Sequence, residues 1–383
     1  MAGIYIHIPF CVKKCFYCNF FSSIDLSLQT SLVESLCHEM DLRYDYLDNQ
    51  PAETLYIGGG TPSILQPLML GTIISHAKKV FGLNPNAEIT LETNPNNLNH
   101  EYMKQLSDTS INRLSIGIQS FFDDNLQVLG RIHSGKQAEI CLELADRYHF
   151  SNLSVDLMYG YPRLSRRQWR ENLEKVKTVN HLSCYSLSLE PHSILHTQIQ
   201  NKCYRLPNED EIIRQYQLLT DFAAENNFMH YETSNFCRQN RFSKHNTAYW
   251  HNEPYIGIGP SAHSFNRFQR QWNIADVDRY IQQLRSLHTP EQWATKGKDA
   301  IFNDEILTPV MQINEYIMTS LRTIWGCNLQ YVREQFGASF HTELLNRLNT
   351  INRHWYTVEE DRLVLTHQGS LFADAIASDL FFD

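Results

Sequence analysis

The sequence predicts an α/β fold of repeated strand–helix units, followed by a small module of helices and a hairpin. Three observations predict it. Short apolar, β-rich runs alternate with longer amphipathic stretches through the first half of the chain. Cysteine-, glycine- and polar-rich turns stand at the carboxyl ends of those runs. From about residue 299 the rhythm changes to helical patterns and one hairpin. Such alternation gives parallel strands with helices packed outside them.

In chain order, candidate strands lie at 3–8, 54–57, 88–91, 113–117, 152–157 and 181–188. Amphipathic stretches cover 26–46, 67–81, 123–129, 136–147 and 167–179. Six such units make either an incomplete barrel or an open doubly wound sheet, and periodicity does not separate the two. In both, working groups come from loops at the carboxyl ends of strands. Cys11 follows the first run, and Gly58-Gly59-Gly60-Thr61-Pro62-Ser63 the second. Glu92-Thr93-Asn94-Pro95 closes the third, Gln119-Ser120-Phe121 follows the fourth, and Asp156 ends the fifth. These ends aim at one mouth.

Beyond about Cys203 the alternation weakens. Residues 205–228 read as one helix, with Glu209, Asp210 and Glu211 early in it, where acids suit the helix dipole. A glycine- and aromatic-rich stretch follows at 230–272. Helical patterns at 311–324, 328–335 and 341–350 precede a hairpin at 355–365 and a last helix at 370–380. That set is winged-helix-like, and it reads as scaffold because no basic recognition helix is present. The expected organisation is a core at 1–200, a linking segment at 201–298 and a C-terminal module at 299–383.

With 383 residues, 42% hydrophobic and 20% charged, the chain has ample length for a large core. A net charge of −9 without a long basic run weighs against a broad nucleic-acid surface. No apolar run approaches the roughly 20 residues that span a bilayer. The opening reads as a strand and not as an export segment. Nine cysteines, an odd number, then suit a reducing compartment, and a cytoplasmic protein is expected.

Cys11, Cys15 and Cys18 carry the sharpest chemistry. Zinc sites favour recurring Cys-x-x-Cys pairs, and no second pair occurs. Three thiolates hold three irons of a four-iron, four-sulfur cluster and leave one iron open, whereas four cysteines close it. The bland alternative is three thiols packed as small hydrophobes. An open iron can take the amino and carboxylate groups of S-adenosylmethionine, and one electron then splits a carbon–sulfur bond. The protein must supply open backbone, polar groups for the ribose and stacking for adenine. The glycine run, Glu92 and Tyr17 are candidates; a tight turn and plain packing are the alternatives. The run is neither a Walker loop nor Gly-x-Gly-x-x-Gly.

The motifs Tyr5-Ile6-His7-Ile8-Pro9-Phe10-Cys11, Gly58 to Ser63, Ser115-Ile116-Gly117-Ile118-Gln119-Ser120-Phe121, Leu129-Gly130-Arg131-Ile132-His133 and Asp156-Leu157-Met158-Tyr159-Gly160 together resemble one family. It is the radical S-adenosylmethionine group containing oxygen-independent coproporphyrinogen III oxidase. The resemblance implies a partial (β/α)6 barrel and a cluster on Cys11, Cys15 and Cys18. It implies that Tyr5, Gly59, Gly60, Thr61 and Glu92 line the S-adenosylmethionine, and that Gln119, Arg131 and Asp156 match positions for a second one. It also places the stretch carrying His263 near that pocket, though His263 reads equally as a structural hydrogen bonder.

Two departures point to the branch of that group described as heme chaperones (HemW-like). Phe20 stands where the oxidase has a fourth cysteine, and ten residues precede Cys11 where the oxidase has a long arm. The branch's His-Asn-x-x-Tyr-Trp motif stands as His245-Asn246-Thr247-Ala248-Tyr249-Trp250. Imidazole is a common axial ligand of heme iron, so His245, Tyr249 and Trp250 are heme candidates; a polar loop with packed aromatics is the alternative. The expected function is a chaperone that binds cluster, S-adenosylmethionine and heme. It would give heme to acceptor hemoproteins, respiratory ones among them, and take electrons from a donor such as flavodoxin or ferredoxin, as a monomer or homodimer. The alternatives are the dehydrogenase itself and a radical methyltransferase.

Overall fold

The computed structural model describes residues 2–383. Six parallel strands run in sequence order: β1 (Ala2–Ile8), β2 (Ala52–Gly59), β3 (Leu83–Thr93), β4 (Arg113–Gln119), β5 (Leu153–Tyr159) and β6 (His181–Ser186). Between them lie α1 (Gln29–Leu42), α2 (Pro67–Phe81), α3 (His100–Ser107), α4 (Asp123–Leu129), α5 (Gly135–Arg147) and α6 (Arg166–Lys175). Local sequence sets their ends. Pro67 opens α2 and left-handed Gly82 stops it, while Ser134 with Gln137 and Ser165 with Gln168 form capping boxes on α5 and α6.

The strands alternate strictly. Ile4, Ile6, Leu55, Ile57, Leu91, Leu114, Ile116, Val155 and Leu182 are buried in the main core, against the helices. Tyr5, Tyr56, Glu92, Arg113, Ser115, Ser154, Asp156, His181 and Tyr185 face one cavity instead. Strands β1 to β6 thus curve round a polar interior as a partial barrel, and the α/β fold is the expected one.

After β6 come α7 (Ile194–Gln200), α8 (Glu209–Glu225), β7 (Met229–His230), β8 (Asn235–Cys237), α9 (Lys244–Trp250), β9 (Tyr255–Ile258), β10 (His263–Phe265) and β11 (Gln269–Asn273). Then follow α10 (Val277–Leu284), the one-turn α11 (Pro290–Gln292) and β12 (Phe302–Ile306). The expected helix at 205–228 is shorter at both ends, because Pro207 restrains the residue before it and the Asn208 side chain caps the amide of Glu211. Strand β9 pairs parallel to β1, and β10 to β12 extend that edge antiparallel. On the other edge β8 pairs antiparallel to β6, and the whole sheet has twelve strands.

The C-terminal part holds α12 (Pro309–Leu321), β13 (Cys327–Asn328), α13 (Leu329–Gln335), α14 (Ala338–Leu348), β14 (Tyr356–Glu359), β15 (Arg362–Leu365), α15 (His367–Ser370) and α16 (Ala373–Leu380). Its three-stranded antiparallel sheet and helices enclose a separate core around Ile313, Ile317, Leu344 and Leu363. In the sequence the change of rhythm puts the start of this module at 299. Strand β12, however, pairs with β11 of the large sheet, and the second core starts at Ile313.

Candidate radical chemistry site

The barrel interior is a cavity of about 770 Å³. At its mouth stand Cys11, Cys15 and Cys18, on the loop after β1, all partly buried. Two backbone bonds fix the loop: Cys11 N–H to Ser23 carbonyl at 2.9 Å, and Phe16 N–H to Leu129 carbonyl at 3.0 Å. Burial pushes the Cys11 and Cys18 thiols up from their ordinary value. Thiols so placed need a cation to become thiolates, which a metal centre provides. Among the described residues no three His, Cys, Asp or Glu side chains converge on a single-ion point. Three separate cysteines on one wall fit a cluster that takes one thiolate per iron.

The glycine turn follows β2 and packs directly on this loop. A Cβ on Gly60 would stand 2.7 Å from the Phe10 carbonyl and 3.0 Å from Cys11 Sγ. Gly59 has φ +114°, and its Cβ would meet the His7 ring at 2.7 Å. Both positions therefore require glycine, and the exposed backbone is open to a ligand. Thr61 Oγ1 lies 3.6 Å from Cys11 Sγ.

Glu92 hangs from β3 into the same space. It accepts the Tyr56 hydroxyl at 2.8 Å and the Gly59 amide at 3.1 Å. Burial, with the facing Asp156, pushes its carboxyl up to about 7. Asp156 accepts the Ser115 hydroxyl at 3.1 Å, and burial raises it too. Two carboxylates in a confined cavity favour a cationic ligand, such as an amino or sulfonium group. Tyr5 lies on the adjacent wall, its ring stacked 6.2 Å from Tyr56 and its hydroxyl 3.1 Å from His7 Nδ1. These residues fit the cradle expected for S-adenosylmethionine.

On the opposite wall Gln119 has φ +67°, beside a register shift between β4 and β5. The bulge turns its amide to accept the Tyr185 hydroxyl at 2.8 Å. Arg131 donates to the Gly117 carbonyl at 2.5 Å and to Cys15 Sγ at 3.4 Å. Tyr17 faces the same space, and burial raises its hydroxyl.

Helix α9 sits at the other end of the barrel. Gly3 and Thr54 lie near the starts of β1 and β2, and both touch His245. Thr54 Oγ1 is 2.7 Å from His245 Nδ1, and Tyr249 hydroxyl is 2.8 Å from Nε2. The amides of Lys244 and His245 donate to Glu88 Oε1 at 2.9 and 3.3 Å. His245 and Tyr249 thus form the cavity floor, with the cysteines at the mouth.

Two of the candidate residues lie outside the cavity. Trp250 does not line the cavity. A helix turns about 100° per residue, which carries Trp250 off the face shared by His245 and Tyr249, and Arg322 lies 5.9 Å from its ring. His263 also lies outside the cavity. Strand β10 turns back antiparallel to β9 after left-handed Ser261, leaving His263 exposed beside Trp272 at 6.3 Å. Sequence reasoning missed Tyr56, Arg113, Ser115, His181 and Tyr185 as cavity residues. Their signal was the polar half of each strand's alternation.

Residues 5–176 match the radical SAM superfamily. The chain is 31% identical to the heme chaperone HemW of Lactococcus lactis, over 95% of this chain and 93% of that one. The chain belongs to the HemW family of the radical SAM superfamily. Its likeness to the Bacillus subtilis heme chaperone HemW is 30% identity over 98% of both chains. In structure, it resembles the Escherichia coli coproporphyrinogen III oxidase HemN with a TM-score of 0.83, covering 99% of this chain and 90% of that one. That pair is 20% identical, so the likeness is one of fold. Among the described residues no helix is long and apolar enough to cross a membrane.

Proposed function

We propose that this HemW-family chain is a heme chaperone. In this reading it binds a four-iron, four-sulfur cluster on Cys11, Cys15 and Cys18, S-adenosylmethionine in the cavity, and heme, which it gives to acceptor hemoproteins. The observation that carries the reading is the near full-length likeness to heme chaperones. When bound, the cluster would supply one electron for S-adenosylmethionine cleavage, drawn from a small donor such as flavodoxin or ferredoxin.

The chain's own residues have defined tasks. Gly59 and Gly60 leave room for the methionine part, Glu92 and Asp156 face its positive charge, and Tyr5 supplies an aromatic wall. Phe20, 71% exposed on the cavity rim, offers an apolar face beside the cluster loop. His245 remains the candidate axial ligand of heme. Both its nitrogens are engaged, so ligation requires Thr54 or Tyr249 to release it. The same reading has the chain work in the cytoplasm, as a monomer or homodimer.

The test is anaerobic reconstitution, followed by heme titration and by incubation with coproporphyrinogen III, S-adenosylmethionine and a reductant. Stoichiometric heme binding without product is expected. Protoporphyrinogen IX at multiple turnovers would overturn the reading in favour of the dehydrogenase. His245→Ala is expected to weaken heme binding and Trp250→Ala to leave it nearly unchanged; unaltered affinity in His245→Ala removes the ligand role.

A further inference from the structure

Arg131 ties the cluster loop to the barrel wall. One guanidinium N–H donates to Cys15 Sγ at 3.4 Å, and another to the Gly117 carbonyl at 2.5 Å. Two anchors fix the plane of the group. A guanidinium keeps its charge at any ordinary pH. The contact at Cys11 is different in kind, since Thr61 is a neutral hydroxyl at 3.6 Å. Arg131 therefore puts a fixed positive charge and a directed N–H on one of the three sulfurs. The resemblance of its motif implies a contact to a ligand; the sulfur contact is a separate observation.

We infer that Arg131 is a positioning residue that sets the reduction potential of the cluster held by Cys11, Cys15 and Cys18. The inference rests on the proposal that these cysteines hold a cluster. An N–H···S bond withdraws electron density from a thiolate, and hydrogen bonds to sulfur are a main determinant of cluster potential. Reduction adds one negative charge. A fixed cation in a confined, low-dielectric site stabilises that charge more than the oxidised state. Both effects raise the potential and ease electron entry. Lysine keeps the charge but loses the planar fork that serves Cys15 and Gly117 together.

The test uses the full chain, reconstituted anaerobically with iron and sulfide and without S-adenosylmethionine. Iron and acid-labile sulfide per chain are measured first. The potential is then read by EPR-monitored titration with redox mediators, for wild type, Arg131→Gln, Arg131→Lys and the control Gln119→Ala, a cavity neighbour without a cysteine contact. At the wild-type midpoint the ratio of reduced to oxidised cluster is expected to fall about tenfold in Arg131→Gln. Arg131→Lys falls between, and Gln119→Ala stays near wild type. Unchanged potential in a fully loaded Arg131→Gln overturns the inference, as does an equal shift in Gln119→Ala. Should Arg131→Gln fail to hold iron, wild type carrying 15N-arginine decides by pulsed EPR. A 15N coupling to the reduced cluster supports the contact, and its absence overturns it. A wild-type chain that takes up no iron overturns the cluster reading itself, and this inference with it.

Discussion

Glu92 and Gly59 are joined across the mouth of the barrel: the Gly59 amide donates to Glu92 Oε2 at 3.1 Å. A carboxylate on β3 thereby holds the glycine turn after β2. The bond favours the carboxylate, but the burial that shapes the cradle outweighs it and pushes the Glu92 carboxyl up to about 7.

That shift predicts a pH dependence. The native state takes up a proton near pH 7, whereas an unfolded glutamate titrates near its ordinary value of 4.5. Between those values the folded chain binds more protons, so its stability falls as pH rises from 4.5 through 7. The contribution is at most roughly 3 kcal/mol, lessened by water in the cavity. Thermal unfolding of the ligand-free chain at pH 6 and pH 8 tests it. Wild type should lose more melting temperature than Glu92→Gln, and equal losses would refute the burial argument.

Gly60→Ala should disturb cluster assembly. The new methyl would press on the Phe10 carbonyl and Cys11 Sγ, and backbone does not yield as a flexible side chain does. Reconstituted iron per chain should fall well below wild type while the circular dichroism stays native-like. Gly71→Ala is the converse. It lies within α2, its Cβ would meet nothing within 4 Å, and it should gain about 0.5–1 kcal/mol in urea unfolding.

Cys11, Cys15 and Cys18 should differ sharply from the other cysteines. Alanine at any of the three is expected to lower iron content and the broad visible absorption. Cys203→Ala should leave both unchanged, since that thiol is exposed on the turn after α7 and is not among the cavity-lining cysteines. Prolonged chelation of wild type should reproduce the cysteine variants. Full iron content in all three variants would exclude the ligand assignment.

Much of this arrangement was legible in the residues, for physical reasons. The alternation of Ile4, Ile6 and Ile8 with Tyr5 and His7 fixes which face of β1 meets helices. The glycine run and the cysteines announce themselves through residue types that serve few other purposes. The curvature of the sheet was not legible, because period-2 patterning is the same in a flat sheet and a curved one. Nor was the place of α9. Its Glu88 and Thr54 partners stand more than 150 residues away in sequence, and no local signal says which end of a barrel a helix covers. That Trp250 stands outside the cavity was hidden for a related reason: adjacency in a motif is not adjacency on a helix face.

His245 yields the last prediction, because its environment fixes both sign and size. Burial, with nearby Arg113 adding repulsion, lowers its pKa to about 3, against an ordinary value of 6.5. The unfolded chain takes up a proton below 6.5 and the native chain does not until far lower. Stability is therefore full above pH 6.5 and declines as pH falls toward 3. His7, lowered to about 4, adds to the same slope. His245→Gln should flatten the decline between pH 6.5 and 5 while losing some stability at pH 8. His245→Ala should lose more, roughly 2–4 kcal/mol, because it opens a hole on the cavity floor and leaves the Thr54 and Tyr249 hydroxyls without their partner. Tyr249→Phe removes one bond and should cost about 1 kcal/mol. Urea unfolding of the three variants measures these values, and an acid slope in His245→Gln as steep as wild type would show that the ring is not held neutral by the floor.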